Sequence, residues 1–337
     1  YGMLSSGLSS FHKLARNPWD LSTNPGGSSA GAGAAAAAGY GPIHLGTDIG
    51  GSIRLPAGWC GIVGLKPSLG RIPIDPPYVG RVAGPMTRTV ADAALAMSVL
   101  SRPDGRDGMS LPPAEIAWSD LSGITVDPAG IRIGLMMEIG AGMALDPEVR
   151  DAVEAAARLL EAEGAIVEPV PAILTREMLD GLDDFWRARA WDDVERLPEG
   201  ERAKILPYIR AWAELGAQRS GLAVIRGFNR TMEMRKAASK LFGSLDFVLS
   251  PTAPVARFPA EWASPVNNPD KPFEHIGYTV VWNMSEQPAV SINCGYTAAG
   301  APIGLQIVGR RFDDLGVLRL AKAYEDRRGP QRPWPVL

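Results

Sequence analysis

The stretch from Ile131 to Val170 narrows the available folds more than any other part of the chain. Ile131-Arg132-Ile133-Gly134-Leu135-Met136 reads as a strand, and Ile166-Val167-Glu168-Pro169-Val170 as another. Between them, Pro147 to Glu163 places Val149, Val153, Ala156 and Leu160 at i, i+4, i+7 and i+11, the apolar stripe of a helix with proline at its start. Strand, helix and strand in that order form a βαβ unit, which implies a sheet with helices packed on it. Further strands are expected at Asp246–Ser250, Ala289–Asn293 and Ile303–Val308, the last two flanking the turn Thr297–Pro302. Helices are expected at Thr89–Leu100 and Asp313–Arg327, and through most of Thr175–Leu241, which carries Trp186, Trp191 and Trp212. The 337 residues, 46% of them hydrophobic, suffice for one large α/β domain or two smaller ones.

Several function classes are disfavoured by composition. A net charge of −3, with 21% charged residues, supplies no polyanion-binding surface, so nucleic acid is not an expected partner. No apolar run is long enough for a membrane helix, and Tyr1–Ser6 does not resemble a signal peptide. Cys60 and Cys294 are far apart and lack metal-ligand spacing, which suits plain buried thiols and a cytoplasmic compartment. No His/Cys/Asp/Glu cluster has metal spacing, so neither a metal nor another cofactor is expected. The loose glycine pattern Gly31–Ala36 lies inside an alanine-rich helix candidate, Ser28 to Gly39, with no clear strand before it. It therefore fails as a dinucleotide fingerprint.

Two serines sit in glycine turns 24 residues apart: Ser28 in GGSSAG and Ser52 in DIGGSIR. A nucleophilic serine needs an exposed hydroxyl, a base, and donors aimed at the oxyanion. The turn Ile49-Gly50-Gly51-Ser52 can supply donors, because glycines let successive backbone N–H groups converge. From the residues alone the plainer reading is a glycine-rich turn in which Ser52 merely caps the next helix. None of His12, His44 and His275 is placed by a motif, so a histidine-based triad has no specific support.

The run from Asn24 to Ser68, NPGGSSAGAGAAAAAGYGPIHLGTDIGGSIRLPAGWCGIVGLKPS, resembles the signature of the amidase-signature family. That signature has a GGSSGG element, then LGTDTGGSIR, then Pro-Ala-x-x-Cys-Gly-x-x-Gly-Leu-Lys-Pro. Gln287–Gly295 and Pro302–Gly309 are similar to the family's C-terminal half, so the likeness covers nearly the whole chain. It implies one domain over residues 1–337, with a large mixed central sheet covered by helices on both faces and a helical, substrate-side insert over residues 175–241.

The resemblance also implies roles. Ser52 matches the nucleophile, and Ser28 matches a bridging serine that follows a cis Gly27-Ser28 peptide. The N–H groups of Ile49, Gly50, Gly51 and Ser52 match the oxyanion hole, while Asp48 and Arg54 match charged residues that brace the loop. Lys66 is a motif residue but not the catalytic lysine, which the family places well upstream of the first serine. Lys13, the only lysine before Ser28, lies too close to it to match and is read as a solvated charge. The chain, starting at Tyr1, is therefore expected to lack an N-terminal part carrying that lysine and to be inactive by itself.

The implied reaction is hydrolysis of a small-molecule amide through a seryl acyl-enzyme. Trp186, Trp191, Trp262 and Trp282 are candidates for an apolar acyl pocket. Two other readings stand beside it: a glutamyl-tRNA amidotransferase A-type subunit, or a non-catalytic fragment serving as an interaction module. A homodimer is compatible with the first reading.

Overall fold

The structure, a computed structural model, describes residues 3–122 and 128–336. Residues 123–127, within the connection expected between Pro103 and Pro128, lie outside it. In chain order the elements are α1 (Ala30–Ala38), β1 (Ile43–Asp48), α2 (Arg54–Cys60), β2 (Val63–Lys66), β3 (Val82–Thr87), α3 (Val90–Leu100) and β4 (Arg132–Leu135). Then follow α4 (Pro147–Ala162), β5 (Ile166–Pro169), α5 (Arg176–Glu195), α6 (Glu199–Arg202), α7 (Pro207–Glu214) and α8 (Gly221–Leu241). The chain closes with β6 (Phe247–Pro251), α9 (Gly277–Met284), β7 (Ala289–Tyr296), β8 (Pro302–Gly309) and α10 (Asp314–Arg327).

The described strands form one eight-stranded sheet in the order β1-β3-β2-β7-β8-β6-β4-β5. β4 pairs in parallel with both β5 and β6, and the other neighbours are antiparallel, so the sheet is mixed. The βαβ unit is present as expected: Ile133 pairs with Val167, and α4 crosses between the two strands. Side chains alternate between two cores. Phe247 and Leu249 of β6, with Leu305 and Ile307 of β8, face α3, α4 and α10, whereas Val248 and Val308 face the layer built from α5 and α7–α9. Local chemistry sets the helix starts. Thr89 accepts from the Asp92 N–H to cap α3, and Asp146, with Pro147 at the first position, caps α4.

Four elements, α2, β2, β3 and α9, were not legible in the sequence. α2 reads RLPAGWC, where Pro56 and Gly58 argue against a helix; Pro56 is tolerated because it sits in the first turn, where its missing N–H has no intrahelical acceptor. β3 contains Gly84 and Pro85, and β2 is four buried residues with no alternation to read. α2 lies directly on the sheet because glycine faces glycine there. A Cβ at Gly304 of β8 would stand 2.7 Å from Gly58 Cα and 2.8 Å from Thr252 Oγ1. Gly304→Ala should therefore cost about 1–3 kcal/mol by overpacking, read as a lowered Tm. An unchanged Tm would mean that α2 lifts off the sheet without penalty.

Candidate active site

The β1–α2 loop, residues 48–53, is organised by one carboxylate. Asp48 Oδ1 accepts from the Gly51 N–H at 2.8 Å, from Arg54 Nη2 at 2.9 Å and from Asn283 Nδ2 at 2.9 Å. Its Oδ2 accepts from the Ile53 N–H at 3.2 Å and from Arg54 Nε at 3.0 Å. Donors at the start of α2 are thus satisfied by Asp48. Ser52 does not cap the helix; Ile53 holds the N-cap position and makes no side-chain cap bond. Burial raises the Asp48 carboxyl, but the Arg54 charge and its hydrogen bonds outweigh this, with Lys66 and Asn283 assisting, and hold it at about 2.

Arg54 is itself fully buried and joins the loop to distant parts of the fold. Nη1 donates to Gln306 Oε1 at 2.7 Å and to the Thr279 carbonyl at 2.9 Å, and Nη2 donates to Asn283 Oδ1 at 2.6 Å. Thr279 Oγ1 in turn donates to the Gly50 carbonyl at 2.6 Å. The Gly50–Gly51 peptide is therefore fixed at both ends, its carbonyl by Thr279 and its N–H by Asp48. Gly51 has a φ of +128°, and a Cβ there would meet Thr279 Oγ1 at 2.6 Å, so the position requires glycine. Thr279→Val keeps the shape but strands a buried carbonyl. It should lower kcat by roughly tenfold or more, the equivalent of about 1–3 kcal/mol, with KM little changed. An unchanged kcat would show that the loop holds its form without this bond.

Thr279, Asn283 and Gln306 were missed in the sequence reading. The one available signal was their polarity within otherwise apolar runs, Tyr278–Met284 and Ile303–Val308. Lys66 lies in the same buried network, and its Nζ donates to the Pro67 carbonyl at 3.0 Å. Burial pushes its ammonium down, Arg54 pushes it further, and Asp48, Asp314 and Glu286 only partly offset this, leaving it at about 7. Lys66 does not line the cavity described next.

Ser28 and Ser52 open into one cavity of about 300 Å³, shared with Thr47, Ile49 and Gly50. The Gly27–Ser28 peptide is cis, as the resemblance implied. The two serine segments are joined through the backbone: the Ser29 N–H donates to the Ser52 carbonyl at 3.3 Å. No hydrogen bond links the two hydroxyls, and neither hydroxyl has a partner among the described residues. Ser29, not Ser28, occupies the N-cap position of α1, and its hydroxyl is spent on the Thr47 N–H and carbonyl rather than on the helix. The N–H groups of Ile49, Gly50 and Ser52 have no acceptor among the described residues. That of Gly51, expected as a fourth oxyanion donor, is corrected by the structure: it is committed to Asp48. Asp48 and Arg54 are buried and do not line the cavity.

The cavity wall is aromatic. Trp186 and Trp212 each meet Phe273 edge to face, with ring centroids 5.1 and 5.7 Å apart. Trp212 is locked by its Nε1 donating to Asp183 at 2.8 Å, and Asp183 also pairs with the buried Arg187. Of the tryptophans proposed from sequence, Trp186 lines the cavity. Trp282 is fully buried in the core, Trp191 packs against that core, and Trp262 lies partly exposed away from the cavity. His275 is buried beside Ile276 but does not line the cavity, and burial pushes its imidazolium down to about 3. His12 and Lys13 are exposed, and His44 is half-buried beside the Gly41 carbonyl. Among the described residues, no three His, Cys, Asp or Glu side chains are grouped to hold a metal ion.

A paired-serine cavity over a carboxylate-braced glycine loop can be compared directly with known proteins. The family model described as amidase matches residues 1–318. The chain belongs to the amidase-signature family. Members of this family are amide hydrolases, and the mixed sheet flanked by helices is their fold. The A-type subunit of the glutamyl-tRNA(Gln) amidotransferase of Myxococcus xanthus is 37% identical over 362 residues, covering 96% of this chain and 72% of that protein. A bacterial aryl acylamidase of the amidase-signature enzymes superposes with a TM-score of 0.85 at 30% identity, covering 97% of this chain and 70% of the other. The corresponding A-type amidotransferase subunit from Thermotoga maritima gives a TM-score of 0.81 at 30% identity, with 99% and 74% covered. Among the described residues, no helix of this amidase-signature protein is long and apolar enough to cross a membrane.

Proposed function

We propose that the protein hydrolyses a carboxylic amide through an acyl-enzyme on Ser52. The observation that carries this reading is the release of the Ser52 hydroxyl from helix capping, which Asp48 performs instead, so that it faces an aromatic cavity beside three N–H groups with no acceptor among the described residues. In the proposed sequence Ser52 Oγ attacks the amide carbonyl and its proton passes by way of Ser28 to the general base. The N–H groups of Ile49, Gly50 and Ser52 hold the tetrahedral oxyanion; in such sites one donor is worth about 3 kcal/mol. Ser28 then returns a proton to the leaving nitrogen, ammonia or an amine departs, and water resolves the ester by the same route. The resemblance assigns the base to a lysine that no position of this sequence matches. The unpaired thiols of Cys60 and Cys294 suit a reducing, cytoplasmic setting.

Trapping is the direct test. A fluorophosphonate probe followed by peptide mapping should place the label on Ser52, and labelling elsewhere with Ser52 unmodified would overturn the assignment. The identity to A-type amidotransferase subunits supports a second reading, in which glutamine is the amide donor and ammonia passes to a partner. Glutamine turnover that appears only when amidotransferase partner subunits are added would favour it over stand-alone hydrolysis of aryl amides.

A further inference from the structure

Three charged side chains line the cavity: Arg81, Arg189 and Asp193. Arg81 belongs to the turn that precedes β3, where its own N–H donates to the Tyr78 carbonyl at 3.0 Å and its Nη1 reaches the Pro76 carbonyl at 3.3 Å. Arg189 projects from α5, and its guanidinium carbon lies 3.7 Å from the centre of the Tyr78 ring. A single turn thus holds both guanidiniums, one through its backbone and one by stacking. Neither is in an ion pair among the described residues, although Arg176, Arg187 and Arg219 of the same helical layer each have a carboxylate partner. Asp193, one turn beyond Arg189 on α5, makes no ion pair with it, so the three groups leave a net positive charge at the cavity. Two positioned guanidiniums with free donors match a carboxylate better than any neutral group, because each can offer a planar pair of N–H bonds.

We propose that this cavity takes an aromatic amide bearing a carboxylate, with the ring against Trp186, Trp212 and Phe273 and the anion at Arg81 and Arg189. This deepens the amidase reading and rests on it for the position of the scissile bond. The test uses three amides on one scaffold: benzamide, 4-carbamoylbenzoate and 4-(aminomethyl)benzamide. Binding is measured by calorimetry on the whole protein carrying Ser52→Ala, so that turnover is not required. 4-Carbamoylbenzoate should bind at least about tenfold more tightly than benzamide, and the advantage should shrink with added salt. It should vanish in the Arg81→Gln/Arg189→Gln variant, which should bind benzamide as before. Equal binding of the first two amides, tightest binding of the ammonium compound at Asp193, or no binding of any of the three would overturn the proposal. Hydrolysis by the protein with Ser52 intact, in a form that carries the lysine base, is followed in parallel. If the carboxylate preference appears in binding while no amide is ever cleaved, the subsite stands and the amidase reading falls.

Discussion

Ser52→Ala, in a form of the protein that carries the lysine base, is expected to reduce amide hydrolysis by at least about 10⁴-fold in kcat, the scale seen when a serine nucleophile is removed from a preorganised site. The fold should be untouched. Ser52 is half-buried, its hydroxyl has no partner among the described residues, and the start of α2 is held by Asp48 whatever stands at position 52. Its Tm should therefore match that of the unmutated protein, while substrate binding persists. Ser28→Ala should be severely impaired as well. The double Ser28→Ala/Ser52→Ala variant should be little worse than Ser52→Ala, since a proton relay acts as a unit. Losses that add in log rate would dissolve the relay, and substantial activity in Ser52→Ala would move the nucleophile elsewhere.

Arg54→Met should be the most damaging single change to stability, at about 3–5 kcal/mol, because it strands the buried Asp48 carboxylate. It also removes the donors to Gln306, Asn283 and the Thr279 carbonyl. Acid should distinguish charge from packing. In the unmutated protein the Asp48 carboxyl is held down to about 2, from an ordinary value of 3.8. Its contribution is complete above that ordinary value and is lost as pH falls through about 2. Without Arg54 the carboxyl is raised, and protonation relieves the variant as pH falls. The stability gap measured by urea denaturation should thus be widest near neutral pH and should narrow in acid. A gap independent of pH would assign the loss to packing alone. Asp48→Asn/Arg54→Met, which removes both charges, should recover part of the stability but not the activity, since the loop donors would still be misplaced.

The serine loop stood out as one contiguous motif; its residues alone left a plain capping turn open, and the roles of Ser28 and Ser52 came with the resemblance. Ser28, Asp48, Ser52 and Arg54 lie within a few turns of sequence, and glycine punctuation marks where the backbone must bend. The βαβ unit was readable from periodicity, since α4 has one apolar stripe and a proline start. Legibility failed where a residue's job is set by a partner far along the chain. Asn283 looks like any polar residue near a helix end, yet it bonds Asp48 across 235 positions. Trp212 and Trp282 carry the same aromatic signal, but only the packing of α7 and α9 puts the first in the cavity wall and the second in the core. The missing fourth oxyanion donor has a different origin, since its acceptor, Asp48, is only three positions away. From sequence, Gly51 is one more flexible glycine, whereas in three dimensions its N–H is the one nearest the Asp48 acceptor.

Because Arg54 is satisfied by Thr279 and Gln306, 225 and 252 positions later, the order of synthesis acquires a meaning. At about 5–20 residues per second, the serine loop would leave the ribosome roughly ten to fifty seconds before α9 and β8 exist to anchor it. During that interval Arg54 and Asp48 have each other and water, but not the lattice that turns the loop's N–H groups toward the cavity. A nascent chain is therefore inert until its last strands arrive, which delays acyl-enzyme chemistry until the sheet is closed. Ribosome-bound chains stalled before residue 277 should resist a serine-directed probe that labels the released protein.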